Sequence, residues 1–158
     1  MKLIMDFNYK NIYLIDRVKI HNKYVSLILE SMFDILYKYS ANENIVEEAK
    51  KCDEEYAKNG RKSELLGIPI ILKDNIDYVG LPTTAGAKGL ADNLPKSNST
   101  VVQNLIDAGA LIIGKANMSE FAFSASNSYS SYGYVRNVFN RDYTSYGSSG
   151  GSAVAVTA

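Results

Sequence analysis

The sequence contains no tryptophan, one cysteine and one histidine. A single thiol, Cys52, excludes an internal disulfide framework, and Cys52 with His21 falls short of a structural zinc site. No metal is expected. Net charge is missing too: 17 Lys+Arg balance 17 Asp+Glu. That balance leaves no electrostatic reason to expect nucleic acid or an anionic membrane as a partner. No run approaches the roughly 18 apolar residues that span a bilayer. The opening Met1-Lys-Leu-Ile-Met-Asp-Phe-Asn carries an acid at Asp6 and no sustained apolar stretch of the kind found in a secretory leader. With 46% hydrophobic and 22% charged residues, the composition is that of an ordinary globular chain. The expectation is a soluble cytoplasmic domain.

Glycine and proline are absent from the first 59 residues, whereas all 11 Gly and all 3 Pro lie from Gly60 onward. Charge divides similarly, with 11 basic and 11 acidic residues in 1–64 and 6 of each in the remainder. Residues 1–64 therefore read as a helical, solvent-facing segment, and residues 65–158 as a turn-rich α/β body. Val25, Ile28, Leu29, Met32, Phe33, Ile35, Leu36 and Tyr39 recur at helical steps and predict an amphipathic helix. Asn42 to Lys58, rich in Glu and Lys, predicts a second.

The body opens on Leu65-Leu-Gly-Ile-Pro-Ile-Ile-Leu, an apolar run of strand length in which Pro69 marks a strand start, an edge or a bulge. A turn through Gly80, Pro82 and Gly86 follows. Ser99 is placed to cap a helix that stops at Gly109, and Ala110-Leu-Ile-Ile-Gly is a second short strand. Strand, helix, strand in that order predicts a parallel α/β unit. Ser119 is placed to cap a short helix through Phe123. From Ser119 to Ser152 there are ten serines, interleaved with tyrosines and phenylalanines, which predicts a long structured loop rather than a linker. The last sixteen residues, Tyr143 to Ala158, are uncharged and end in an apolar helix-like run without a glycine stop. A cut chain is the expectation.

Two features suggest chemistry. Gly147-Ser-Ser-Gly-Gly-Ser-Ala-Val-Ala-Val is a glycine-rich turn feeding a helix, an arrangement suited to an anion or a developing oxyanion. A flexible linker, a phosphate loop and a catalytic serine loop compete for it. The continuing Ala-Val-Ala-Val speaks against the first, and the absence of a following Gly-Lys-Ser/Thr against the second. Lys73 stands at an apolar strand end, where burial favours a neutral amine able to act as base. Lys88, Lys96 and Lys115 lie beside turns or polar residues and read as solvated. His21 sits among Arg17 and Lys19, so no histidine base is offered, and lysine is the alternative partner for a serine.

Leu66-Gly-Ile-Pro-Ile-Ile-Leu-Lys73-Asp-Asn-Ile, Thr83-Thr-Ala-Gly, Gly109-Ala-Leu-Ile-Ile-Gly-Lys-Ala-Asn-Met-Ser-Glu-Phe-Ala and Gly147-Ser-Ser-Gly-Gly-Ser-Ala together resemble the amidase signature family, from Leu65 to the end of the chain. The resemblance implies part of an α/β/α fold around a mixed sheet, with residues 1–64 as leading helices. It implies a Ser-cisSer-Lys relay that hydrolyses carboxylic amides without a cofactor. Lys73 maps to the terminal base, and Ser148, behind a cis peptide bond, to the bridging serine beside the substrate. Gly147, Ser149, Gly150 and Gly151 shape the site, and Ala122 maps to a segment lining the acyl pocket. The family's nucleophile comes from a later Gly-Gly-Ser block, which residues 1–158 do not contain. Ser152 matches no nucleophile. The isolated chain is therefore expected to be inactive and poorly soluble. Tyr146 stands where the family commonly has glycine, and Val138 where it often has proline. The expected partner is a small-molecule amide. Two alternatives are the A subunit of a tRNA-dependent amidotransferase, with partner subunits, and a non-catalytic remnant. Thr83-Thr-Ala-Gly and Ser124-Ala-Ser-Asn-Ser-Tyr look more like free-standing amidases.

Overall fold

The computed structural model describes Asn42 and residues 44–157. The amphipathic helix expected over Val25–Tyr39 and the surroundings of His21 lie outside the described residues. The first described helix, α1, runs Ile45–Asn59. Glu47 and Glu48 in its first turn and Lys58 in its last complement the helix dipole. Gly60, at φ +70°, ends it by donating its N–H to the Tyr56 carbonyl at 2.8 Å.

Strand β1 spans Pro69–Lys73, so Pro69 is a strand start, where its missing N–H is harmless. Helix α2, Thr100–Asp107, leads to strand β2, Leu111–Ala116. The two strands pair in parallel, which gives the β–α–β unit that the order of apolar segments predicts. Helix α2 ends in a Schellman motif. Gly109, at φ +86°, donates to Ile106 O at 2.8 Å, and Ala110 donates to Leu105 O at 2.9 Å. Ser99 stands at the N-cap position with extended backbone, but its side chain makes no capping bond, and its hydroxyl is buried without a partner among the described residues.

Neighbouring residues of a strand face opposite ways, and the core divides accordingly. Leu111 packs with Ile45 and Ala49, so α1 covers one face of the pair. Ile112 packs with Leu72 and Val102, so α2 covers the other. Asn42 fastens α1 to the strand: its N–H donates to Ile113 O at 3.1 Å and its side-chain amide to Ile112 O at 3.0 Å. The ladder is not regular. Ile70 pairs with Ile112 but Ile71 with Gly114, which leaves Ile113 as an extra residue. Such a bulge shifts side-chain alternation by one, and it sets Lys115 across from Leu72.

The serine-rich stretch is ordered by its own hydroxyls. A ribbon pairs β3, Tyr129–Ser130, with β4, Gly133–Tyr134. Ser128, Ser130 and Ser145 are buried, and each donates its hydroxyl to a backbone carbonyl, at Tyr146, Gly133 and Val135. These bonds add to the few backbone pairs of the stretch, such as Ser145 N–H to Val135 O at 2.9 Å. The helix expected at Ser119–Phe123 is a single 3-10 turn, Glu120–Ala122, with Phe121 and Ala122 at φ +49° and +57°. Two consecutive left-handed residues cannot continue a right-handed helix. The last helix, α3, runs Gly150–Thr157. No described helix is long and apolar enough to cross a membrane.

Candidate active site

The Gly147–Gly151 loop is a packed element, not a flexible link. A Cβ on Gly147 would overlap Asn127 O, Ser119 Oγ and Ser124 O. At Gly150 it would overlap the hydroxyls of Ser128 and Ser145, and at Gly151 the carbonyl of Asn117. Glycine is required here for close approach, since none of the three has a positive φ. The Gly147–Ser148 peptide bond is cis. Three backbone bonds hold the loop: Gly147 N–H to Ala125 O at 3.1 Å, Ser119 N–H to Ser148 O at 3.0 Å, and Gly151 N–H to Asn117 O at 3.2 Å. Exposed Ser149 starts α3, its carbonyl accepting from Ala153 N–H at 3.1 Å.

Lys73 is the last residue of β1, half-buried, and its Nζ lies 2.7 Å from Ser148 Oγ. Residues 75 positions apart are thus brought into direct hydrogen bonding. Among the described residues no carboxylate pairs with Lys73. Its partner is a hydroxyl, which can both accept and donate a proton. An amine in contact with a hydroxyl is an arrangement across which a proton can pass.

Lys115 corrects the sequence reading. It is not solvated: its side chain is 0% exposed. Its Nζ donates to Pro82 O at 2.8 Å and Thr83 Oγ1 at 2.7 Å, and pairs with Asp74 Oδ1 at 3.1 Å. Burial pushes the Lys115 amine below the ordinary lysine range, and the Asp74 carboxylate opposes that shift. Asp74 is a hub. Its carboxylate also accepts from Thr84 Oγ1, and from the N–H groups of Thr84 and Gly86 at 3.3 Å. Lys88 and Lys96 are exposed as expected.

Ser119, read from the sequence only as a helix cap, is 1% exposed and its side chain makes no capping bond. Its hydroxyl donates to Asn127 O at 2.6 Å and Ser124 O at 3.1 Å, while its N–H holds Ser148. The Gly-Lys-Ala-Asn-Met-Ser run that closes β2 is the signal that marks it. Ala122 is exposed on the loop that Ser119 anchors, its N–H donating to Ser119 O at 2.8 Å. A cavity of about 540 Å³ opens beside the buried ion pair, lined by Asp74, Thr84, Lys88, Lys115, Asn117 and Tyr132 among others. Neither Lys73 nor Ser148 lines it.

Comparison with known proteins gives a consistent result. The family model described as Amidase matches residues 34–158. The chain is 49% identical over 119 residues to the A subunit of the glutamyl-tRNA(Gln) amidotransferase of Exiguobacterium sibiricum, covering 75% of this chain and 24% of that protein. The peptide amidase of Stenotrophomonas maltophilia superposes with a TM-score of 0.76 at 32% identity, covering 86% of this chain and 30% of that one. An amidase family protein of Bacillus anthracis superposes with a TM-score of 0.75 at 30% identity, covering 100% of this chain and 36% of that one. The chain thus spans about a quarter of the length of the curated relatives it matches.

Proposed function

This chain belongs to the amidase family, and from that premise we propose that Lys73 and Ser148 are two members of a Ser-cisSer-Lys relay for amide hydrolysis. The 2.7 Å contact between Lys73 Nζ and Ser148 Oγ is the observation that carries the reading. As a neutral amine, Lys73 takes the proton of the Ser148 hydroxyl. Ser148 in turn takes the proton of a nucleophilic serine as that serine attacks the amide carbonyl. The departing amine or ammonia receives its proton back from Ser148, which Lys73 reprotonates. Water then repeats the attack on the acyl-serine and releases the carboxylate. Gly147, Gly150 and Gly151 let the loop approach its supports, and Ala122 lies near the acyl group.

The nucleophile is assigned to a Gly-Gly-Ser segment outside residues 1–158, and Ser152 is not given that role. The 158-residue protein should therefore release no ammonia from simple amides. The same chain carrying such a segment should, and should lose that activity on Lys73→Ala. Turnover by the 158-residue protein that disappears on Ser152→Ala would overturn the assignment.

A second reading has its own support, because the curated relatives at 39–49% identity are amidotransferase A subunits. In that reading the amide is the side chain of glutamine, and the ammonia passes to a partner subunit. Glutaminase activity that rises on addition of a partner subunit distinguishes it from a free-standing amidase.

A further inference from the structure

We propose that Asp74, clamped by Lys115, is a positioning residue for the Lys73–Ser148 pair. The proposal rests on the relay reading above, but it concerns geometry rather than turnover. Lys73 and Asp74 are consecutive and turn to opposite sides of the strand end: one meets Ser148, the other Lys115. The peptide unit they share is therefore held from the Asp74 side. Asp74 N–H donates to Ala116 O at 3.1 Å, and its carbonyl accepts from Ala85 N–H at 3.0 Å. Its carboxylate takes Lys115, Thr84 and Gly86 together.

These bonds close a ring. Asp74 fixes the end of β1 on Ala116, the last residue of β2. The residues after Ala116 hold the serine loop, Asn117 O through Gly151 N–H and Ser119 N–H through Ser148 O. From Ser148 the 2.7 Å bond returns to Lys73. A second tie runs in parallel, since Ala85, held by Asp74, accepts from Phe121 N–H at 2.8 Å in the loop that carries Ser119. A lysine side chain has four rotatable carbons and does not hold a single geometry unaided. Fixing its Cα to the same strand end that carries the Ser148 supports sets the distance between them. Lys115 makes this possible by keeping the buried Asp74 charge paired, with every donor of the ammonium engaged.

The test reads the Lys73 amine directly, in the 158-residue protein labelled with ¹⁵N-lysine. Its Nζ resonance is identified by its loss in Lys73→Arg. In the unaltered chain that resonance should stand apart from those of exposed Lys88 and Lys96. In Asp74→Asn it should collapse onto them while thermal melting still reports a folded protein. Asp74→Asn/Lys115→Met removes both charges at similar volume, and so leaves no lone buried ion should the single variant fail to fold. It should show the same collapse. A Lys73 resonance unchanged in either folded variant would overturn the proposal. Loss of the fold in both would also overturn it, by assigning the pair to the fold alone. No hydrolysis is involved, so failure of the amidase reading would show separately, as absent turnover with this signature intact.

Discussion

Two lysines stand at the carboxyl ends of adjacent parallel strands, and their surroundings are opposite. Lys115 is enclosed and meets two neutral oxygens and a carboxylate, one for each N–H of an ammonium ion. Lys73 is half-buried and meets one hydroxyl. A charge that serves the fold is given a full set of acceptors, because an unpaired buried ion is expensive. A single hydroxyl partner, able to accept and donate, suits the proton transfer proposed for Lys73. The carboxylate of Asp74, one residue from Lys73, is committed to Lys115 and the Thr84–Gly86 turn. The sharpest way to break this contrast is to exchange the consequences of losing each amine.

Lys73→Ala should give the larger effect on chemistry. In the protein carrying the nucleophile, kcat/KM should fall by about 10³-fold or more, the scale of losing a general base. Thermal stability should change little, since a single hydrogen bond is lost. Initial rates and a melting curve check both halves. Comparable activity in this variant would remove Lys73 from the relay.

Lys115→Met should give the larger effect on stability. Breaking a buried pair leaves Asp74 ionised without its partner, and the expected loss is about 3–5 kcal/mol of folding free energy. Urea denaturation of the single and double variants measures it. Asp74→Asn/Lys115→Met should be less destabilised than the sum of the single changes, because the double variant holds no lone buried charge. Additive losses would mean the two groups are not coupled.

The contrast also marks how far the sequence could be read. The place of Lys73 at the end of β1 was legible because it follows an apolar run directly. The burial of Lys115 was not, because the apolar run stops at Gly114 while β2 continues to Ala116. The acceptors that enclose its amine, on Asp74, Pro82 and Thr83, come from residues more than thirty positions away. Ser119 was invisible as a support since its decisive bond uses a backbone N–H, which every residue but proline has. The 3-10 turn at Glu120–Ala122 escaped because Phe121 and Ala122 are not residue types that announce a left-handed backbone. The β–α–β order and the Gly109 stop were legible because proline, glycine and apolar runs declare themselves locally.

Two substitutions sharpen the Lys73 side. Gly150→Ala forces a methyl group onto the hydroxyls of Ser128 and Ser145, and overpacking of this kind costs about 1–3 kcal/mol. The loop should shift, so activity should fall together with stability. Ser119→Ala removes a buried hydroxyl that serves two carbonyls, an expected loss of about 1–2 kcal/mol. Its N–H to Ser148 remains, so activity should drop less than in Lys73→Ala. Equal losses would mean that the hydroxyl, rather than the amide, sets the serine loop.

The smallest effect is expected at the start of α2, where one polar atom of the described residues breaks the rule of full satisfaction. Ser99 occupies the N-cap position of α2, yet its hydroxyl caps nothing and is buried with no partner among the described residues. Ordinarily, replacing an N-cap serine by alanine costs about 1 kcal/mol, because a bond to the first turn is lost. Here no such bond exists to lose, and an unsatisfied buried hydroxyl is itself destabilising by about 1–3 kcal/mol. Ser99→Ala should therefore be neutral or slightly stabilising, the opposite sign to Ser119→Ala. Chemical denaturation of the two variants side by side tests the sign. A clear loss in Ser99→Ala would mean that the hydroxyl finds a partner in solution.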